Sequence, residues 1–432
     1  MSLVRTPIDK IPLEILEIIL EDAAGPTGEG LRTSALNKCN LCLTCKDFAH
    51  LIYGLRRLWT ALTIALDDAP KPTYVLLAIK NSGTLPLHLS LILSLPSTES
   101  TSSAAERSRR FRYESHRRQT FVHTYLTLMD QWFRRVGELT VECSDINASE
   151  LLLEYLARMD SRNLRKISLS LRLSRRPEIH LREVTFCGDL TPLRQLSFRG
   201  IFPPSIMRAA GRRVTDLSIR NVGRSLLPYN VVIDTLKSFV NVRTLRMACV
   251  ECIGSNTPGS PNSTITLRAL RCLDFAFVAK SSVYLAASIR MPNLLVLRLD
   301  MSSMRRARDF MALCGATIGA APVVNLRVRN RAAKEEMTEF INSFRSASAI
   351  RLTRMPSTNT ESVTAALSCI SLPNLQSLRI GWVVDDTEAL AILRRSEEIG
   401  SEGLVLRSLV KTSEKVYKLQ DGNMSIADEL CT

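Results

Sequence analysis

The chain has 432 residues, 45% of them hydrophobic and 23% charged, and 57 Lys/Arg against 42 Asp/Glu give a net charge of +15. That length exceeds one small domain and suits two or three domains, or one domain joined to a repeat array. No run of 18 apolar residues occurs, which argues against a membrane span. The opening MSLVRTPIDK has no secretory apolar region, so an intracellular protein, cytoplasmic or nuclear, is expected.

The first predicted element lies in IDKIPLEILEIIL, residues 8–20. Asp9 is a suitable N-cap and Pro12 suits a first helical turn, where its missing N–H costs nothing. Ile11, Ile15, Ile18 and Ile19 recur at helical spacing, with Leu16 and Leu20 widening the apolar stripe and Glu14, Glu17 and Glu21 near the other face. Gly25-Pro26-Thr27-Gly28-Glu29-Gly30 breaks that helix. A second helical stretch is expected from about Leu31 to Leu55, and Leu58-Trp59 closes the unit. Three short helices have too little mutual surface to bury Ile15, Leu16, Ile19 and Trp59, so a partner is expected to cover them.

These segments resemble an F-box. Ile11-Pro12-Leu13-Glu14-Ile15-Leu16, then Leu41-Cys42-Leu43-Thr44-Cys45-Lys46-Asp47-Phe48, then Leu58-Trp59 follow the family's Leu-Pro-x-Glu-Ile-Leu opening, Cys-Lys-x-Trp centre and Leu-Trp ending. Phe48 stands where the family usually has Trp, and the stretch between Leu20 and Leu41 is longer than in the compact animal form, as in fungal members. Asn81-Ser82-Gly83-Thr84-Leu85-Pro86-Leu87-His88-Leu89 and Gln131-Trp132-Phe133-Arg134-Arg135-Val136 are similar to segments that follow the F-box in those members. The resemblance implies a helical F-box over residues 1–66 that binds a Skp-family adaptor, and through it a cullin. The adaptor-binding residues it implies are Ile11, Pro12, Leu13, Ile15, Leu16, Ile19, Leu43, Cys45, Lys46, Phe48 and Trp59. Without the resemblance, the same spacing describes an amphipathic helical hairpin that caps whatever follows.

Residues 67–135 read as a linker. They hold a Ser-rich stretch from residue 96 and an arginine cluster (Arg107, Arg109, Arg110, Arg112, Arg117, Arg118) that reads as a solvated face or as a nuclear-import or nucleic-acid patch. From residue 136 an apolar-x-x-apolar-x-apolar template recurs. It starts at Val136, Leu164, Leu193, Val214, Val242, Leu270, Leu294, Val323, Ala347 and Leu375, at intervals of 21 to 29 residues. That is the period range of leucine-rich repeats. Helical stretches such as Leu151–Arg158, Val231–Phe239, Met337–Phe344 and Val363–Ile370 fall between the strands, and Asn221, Cys249 and Asn330 are the nearest candidates for the repeats' Asn/Cys ladder. The expected fold is α/β: a curved parallel sheet with helices on its convex side over residues 136–410, after the helical unit, with an acidic tail at 411–432.

Residues 136–384 carry 34 Lys/Arg against 19 Asp/Glu, and 30 of those cations are Arg. At the fifth and seventh template positions, expected to face out of the core, stand Arg199, Arg220, Arg246, Arg298, Arg327, Arg329, Arg351 and Arg379. Arginines stacked on neighbouring strands repel one another, and Arg offers planar, bidentate recognition of carboxylate or phosphate. These residues are therefore expected to receive an acidic or phosphorylated target, unless they serve solubility alone. A second reading is a basic repeat protein that binds nucleic acid. Aromatics, which stack bases, make up only 6% of the chain. A third is a plain repeat scaffold with a helical cap.

The acidic tail, with Asp421, Asp428 and Glu429, and Glu397, Glu398 and Glu402 before it, invites the idea of folding back on the basic face. Eleven cysteines, odd in number and scattered, read as reduced thiols. Cys39-x-x-Cys42-x-x-Cys45 drifts around a helix, and Cys249-x-x-Cys252 lacks a second pair, so neither predicts a metal site. No His among His50, His88, His116, His123 and His180 sits in a catalytic motif, so a non-enzymatic protein without cofactor is expected.

Overall fold

The computed structural model describes residues 11–24, 38, 40–44, 46–65, 72–93, 120, 123–125, 127, 130–143, 146–158, 162–171, 190–220, 228–250, 252, 264–276, 280–301, 304–318, 320–328, 334–354, 365–382, 385–399, 404–409, 414–420 and 423–429. They form two compact units. One comprises Met1–Arg176 with His180–Ala210, and the other Pro177–Ile179 with Gly211–Thr432.

The first unit begins with helix α1 (Leu13–Ala24) and helix α2 (Lys46–Gly54), then a 3-10 turn over Arg56–Trp59. Strand β1 (Ala61–Ala65), helix α3 (Pro72–Asn81), strands β2 (Leu87–Leu93) and β3 (Val136–Cys143), helix α4 (Ile146–Arg158), strands β4 (Lys166–Leu171) and β5 (Gln195–Arg199) and helix α5 (Pro204–Ala210) follow. Strands β1 to β5 lie side by side in chain order, all parallel. The parallel sheet therefore starts at Ala61, inside the segment read as a helical domain, and β2 lies inside the segment read as linker. Trp59, Leu62 and Ile64, then Pro86, Leu89 and Leu91, fit the repeat template with Trp and Pro at its first position. The leucines and isoleucine at the later positions are buried.

The second unit repeats the same plan. In chain order it contains β6 (Asp216–Arg220), α6 (Tyr229–Leu236), β7 (Thr244–Ala248), the two-residue β8 (Ile265–Thr266), β9 (Cys272–Ala276), α7 (Lys280–Ala287), the two-residue β10 (Ile289–Arg290), β11 (Val296–Met301), α8 (Met304–Ile318), β12 (Val323–Val328), α9 (Lys334–Asn342), β13 (Ala349–Arg354), β14 (Ser377–Ile380), α10 (Asp386–Glu398) and β15 (Val405–Leu409). Strands β6, β7, β9, β11, β12, β13, β14 and β15 are neighbours in that order and parallel. The short β8 and β10 pair with each other apart from them. Strands β16 (Glu414–Gln420) and β17 (Asn423–Glu429) join β15 antiparallel. The stretch expected as an acidic tail is thus a hairpin in the plane of the sheet, with Val416 and Tyr417 buried.

Parallel strands need crossovers, and here helices supply many of them. One face of each strand is buried by them. Leu217 and Ile219, Leu245 and Met247, Leu273 and Phe275, Leu297 and Leu299, Ile350 and Leu352, and Leu378 and Ile380 form the core rows of the second unit. Each fully buried Leu or Ile contributes about 1.5–3 kcal/mol. Aromatics fill the wider gaps: Phe275 stacks on Phe310 at 5.9 Å, and Phe340 meets Phe344 edge-on at 5.3 Å. Helix α10 opens with a capping box, in which Asp385 Oδ1 accepts from the Glu388 amide at 2.7 Å and Glu388 accepts back from the Asp385 amide.

Two rungs tie consecutive repeats together. One carbonyl, just after the first template position, accepts two successive amides of the next repeat. Arg165, Thr215, Arg243, Arg271, Pro322 and Ser348 each do this. The second rung is a side chain. Asn163, Asn241, Asn293 and Asn374, each just before the first apolar position, donate Nδ2 to the backbone carbonyls of Arg134, Arg212, Arg268 and Arg345 at 2.7, 2.7, 2.8 and 3.2 Å. Among the described residues these asparagines form a ladder at the strand entrance. Asn221 and Asn330 lie outside the described residues, and Cys249 leaves β7 with φ of 56°.

The register also corrects one repeat. Val323 pairs with Val296 and Val324 with Leu297, so the apolar set of β12 is Ala321, Val324 and Leu326. The alternative set Val323, Leu326 and Val328 matches the template equally well in sequence. Tertiary packing selects the first, because Ala321, Val324 and Leu326 are the ones buried.

Candidate interaction surfaces

The first surface is built on α1. Asp9 lies outside the described residues, and the helix starts instead from the Pro12 carbonyl, which accepts from the Leu16 amide at 3.0 Å. Leu16 and Leu20, one turn apart, are buried. On the adjoining stripe Ile15, Ile18 and Ile19, spaced i, i+3 and i+4, are 48, 61 and 47% exposed. A helix with two apolar stripes and only one of them covered keeps surface for a partner.

The other residues expected at this surface divide. Pro12, Leu43 and Lys46 are exposed, Ile11 and Phe48 are half-buried, Cys45 lies outside the described residues, and the Leu13 side chain is not described. Leu16 and Trp59 are buried, which corrects the expectation that a partner must cover them. Trp59 Nε1 donates to the Ile52 carbonyl at 2.8 Å. Its ring stacks on Tyr53 at 5.7 Å, and Lys38 Nζ sits 5.5 Å over it while donating to the Leu58 carbonyl at 2.5 Å. Trp59 joins the helices to β1 from inside. Exposed Tyr53 and Ile18 were not among the expected contacts, although Ile18 carries the same helical spacing as the residues that were.

The segments flanking β2 have structural work. Ser82 Oγ donates to the Ile79 carbonyl at 2.7 Å, and Gly83 turns the chain with φ of 59°. The Arg135 guanidinium then bonds the Ile79 carbonyl, Ser82 Oγ and the Leu85 carbonyl at 3.2, 2.8 and 2.9 Å, locking the α3–β2 turn against the entrance to β3. Burial lowers the pKa of Arg135 from its ordinary value.

The second surface is the face of the second unit's sheet opposite the core. Strand register aligns Ser218, Arg246, Asp274, Arg298, Asn325, Arg351, Arg379 and Arg407 in one row. Arg246, Arg298 and Arg351 are exposed and Arg379 is half-buried. Arg327 belongs to the next row, beside Asp300 and Thr353, because the repeat starts two residues earlier than expected. Arg220 is exposed beside Ala248, Arg199 is exposed in the other unit beside Ser170, and Arg329 lies outside the described residues. Two residues back along the strands runs a third row: Cys272, Val296, Val323, Ala349, Ser377 and Val405, all half-buried. The sequence template places Val323 in the core, and the register puts it on this row instead.

Charge is distributed unevenly. In the first unit Glu138 pairs with Lys166 at 3.1 Å and lies 3.6 Å from His88 across three neighbouring strands. On the helices of the second unit Arg308 reaches Glu336 and Glu339 at 3.3 and 3.4 Å. The arginine row instead places Arg351 directly beside Arg379. Among the described residues no group of three or more His, Cys, Asp or Glu side chains converges as a metal site would require, and no helix is long and apolar enough to cross a membrane.

No family model matches the sequence, and no curated protein matches it. Solved structures include a protein from Bacteroides fragilis with 11% identity and a TM-score of 0.29, over 66% of this chain and 68% of that one. A likeness that slight carries neither a shared fold nor a function.

Proposed function

We propose that this protein is a non-catalytic substrate receptor of an SCF-type ubiquitin ligase. The exposed isoleucine stripe of α1 docks on a Skp-family adaptor, and the repeat body holds a target protein beside the ubiquitin-charged enzyme. The observation that carries this reading is the pair of apolar stripes on α1, one buried through Leu16 and Leu20 and one exposed through Ile15, Ile18 and Ile19. The F-box resemblance of the same residues supplies the identity of the partner. Rate enhancement would come from effective concentration, not from groups on this chain.

The test is capture of the full-length protein by a purified Skp-family adaptor. A fragment ending before β3 is unsuitable, because β1 and β2 pair into the same sheet as β3. The triple variant Ile15→Ser, Ile18→Ser, Ile19→Ser is expected to fold and to lose the adaptor. Equal capture of wild type and variant, or no capture of folded wild type, would turn α1 into a cap and nothing more.

A further inference from the structure

We infer that the open face of the second unit's sheet binds an acidic polypeptide segment whose carboxylates lie along the arginine row and whose small aliphatic side chains lie along the adjoining valine row. The inference deepens the target-holding role proposed above and rests on that reading for its biological meaning. Its physical basis is independent of α1.

Three observations carry it. The first is the in-register row Arg246–Asp274–Arg298–Asn325–Arg351–Arg379, in which the exposed Arg246, Arg298 and Arg351 enter no ion pair among the described residues. Acidic side chains are available to the fold, since Arg308 takes two of them on the helical side. Asp274 is the row's one carboxylate, between Arg246 and Arg298, and Arg351 has Asn325 and Arg379 as its neighbours, so the row carries more positive charge than it balances and suits an external anion.

The second is the row of Val296, Val323 and Ala349, continued through Ser377 to Val405, two residues back along the same strands and half-buried. Two positions along a strand are about 6.6 Å. An extended peptide lying across the strands sends alternate side chains to either side, so one edge meets guanidinium groups and the other meets methyl groups. Neighbouring strands are about 4.8 Å apart, so four peptide residues span roughly three strands. The third observation decides against a nucleic acid. The described open-face positions of β6 to β15 carry no aromatic ring on which a base stacks, and small aliphatics offer a phosphodiester chain nothing.

The experiment uses the full chain and a fluorescein-labelled peptide of four Glu-Val repeats, read by anisotropy. Companion probes replace Glu by Gln, replace Val by Ser, or substitute a 20-nucleotide oligo-dT. The Glu-Val peptide is expected to bind best. Arg298→Glu and Arg351→Glu are each expected to weaken it about tenfold or more, and Val323→Ser about threefold, with unchanged circular dichroism. Arg351→Lys keeps the charge without the planar fork and is expected to fall between wild type and Arg351→Glu.

Binding that ignores the arginine substitutions overturns the inference. So does a Glu-Ser peptide that binds as well as Glu-Val, or tighter, steeply salt-dependent binding of oligo-dT. Adaptor capture on the same samples reads the receptor proposal separately. Its absence beside arginine-dependent peptide binding supports the peptide surface and removes the ligase assignment.

Discussion

Single residues set the spacing between repeats. Gly200 follows β5 with φ of 73°, and a Cβ there would sit 2.0 Å from the Leu171 carbonyl oxygen. Gly200→Ala therefore meets both a left-handed backbone and a backbone clash, and is expected to cost on the order of 2–4 kcal/mol in chemical denaturation. The ladder asparagines act more gently. Asn293→Ala removes one side-chain bond to the Arg268 carbonyl and is expected to cost about 1 kcal/mol. Asn325→Ala, on the open face of β12, is the control that should leave stability nearly unchanged. Cys314 is buried, and burial pushes its thiol up to about 12. At pH 8 about one thiol in ten thousand would be ionised. Maleimide labelling of the native protein should therefore spare Cys314 until it unfolds, and rapid native labelling at that position would refute the packing described around it.

At the level of elements, α1 and the C-terminal hairpin show what pattern reveals and what it hides. The two stripes of α1 predict opposite mutational outcomes within one helix. Leu20→Ala empties a buried position and is expected to cost about 2–4 kcal/mol, while Ile18→Glu, at an exposed position, should stay within about 0.5 kcal/mol of wild type. Helical spacing shows these residues in the sequence as one widened apolar stripe. It carries no information about which part of it the rest of the chain would cover. The hairpin was masked by its charge. Residues 411–432 read as an acidic tail, yet Asp421-Gly422 is a two-residue hairpin signal and Gln420 pairs with Asn423 across it. Truncation after residue 411 removes the buried Val416 and Tyr417 and bares the edge of β15. It should lower the melting temperature and promote aggregation, so a role in shielding the basic face is not separable by that deletion.

Across the whole molecule, periodicity made the repeat body readable, because a strand that buries every second residue leaves its mark on the sequence. Phase was harder. Ala321 and Val323 both satisfy the template, and only the pairing of β12 with β11 decides between them. The first two strands are hidden in the sequence because Trp59 and Pro86 occupy the template's leading position. Charge, by contrast, was readable in amount but not in arrangement. The net +15 predicts self-repulsion, and the register shows where adjacent like charges stand, at Arg351 and Arg379. In 0.01 M salt the Debye length is about 30 Å and the repulsion extends over several strands. In 1 M salt it is about 3 Å, shorter than the roughly 4.8 Å between strands. Raising NaCl across that range is therefore expected to raise the melting temperature by a few degrees, and Arg351→Gln should blunt the rise. A melting temperature that falls with salt would mean that pairs such as Arg308 with Glu336 and Glu339 outweigh the arginine row.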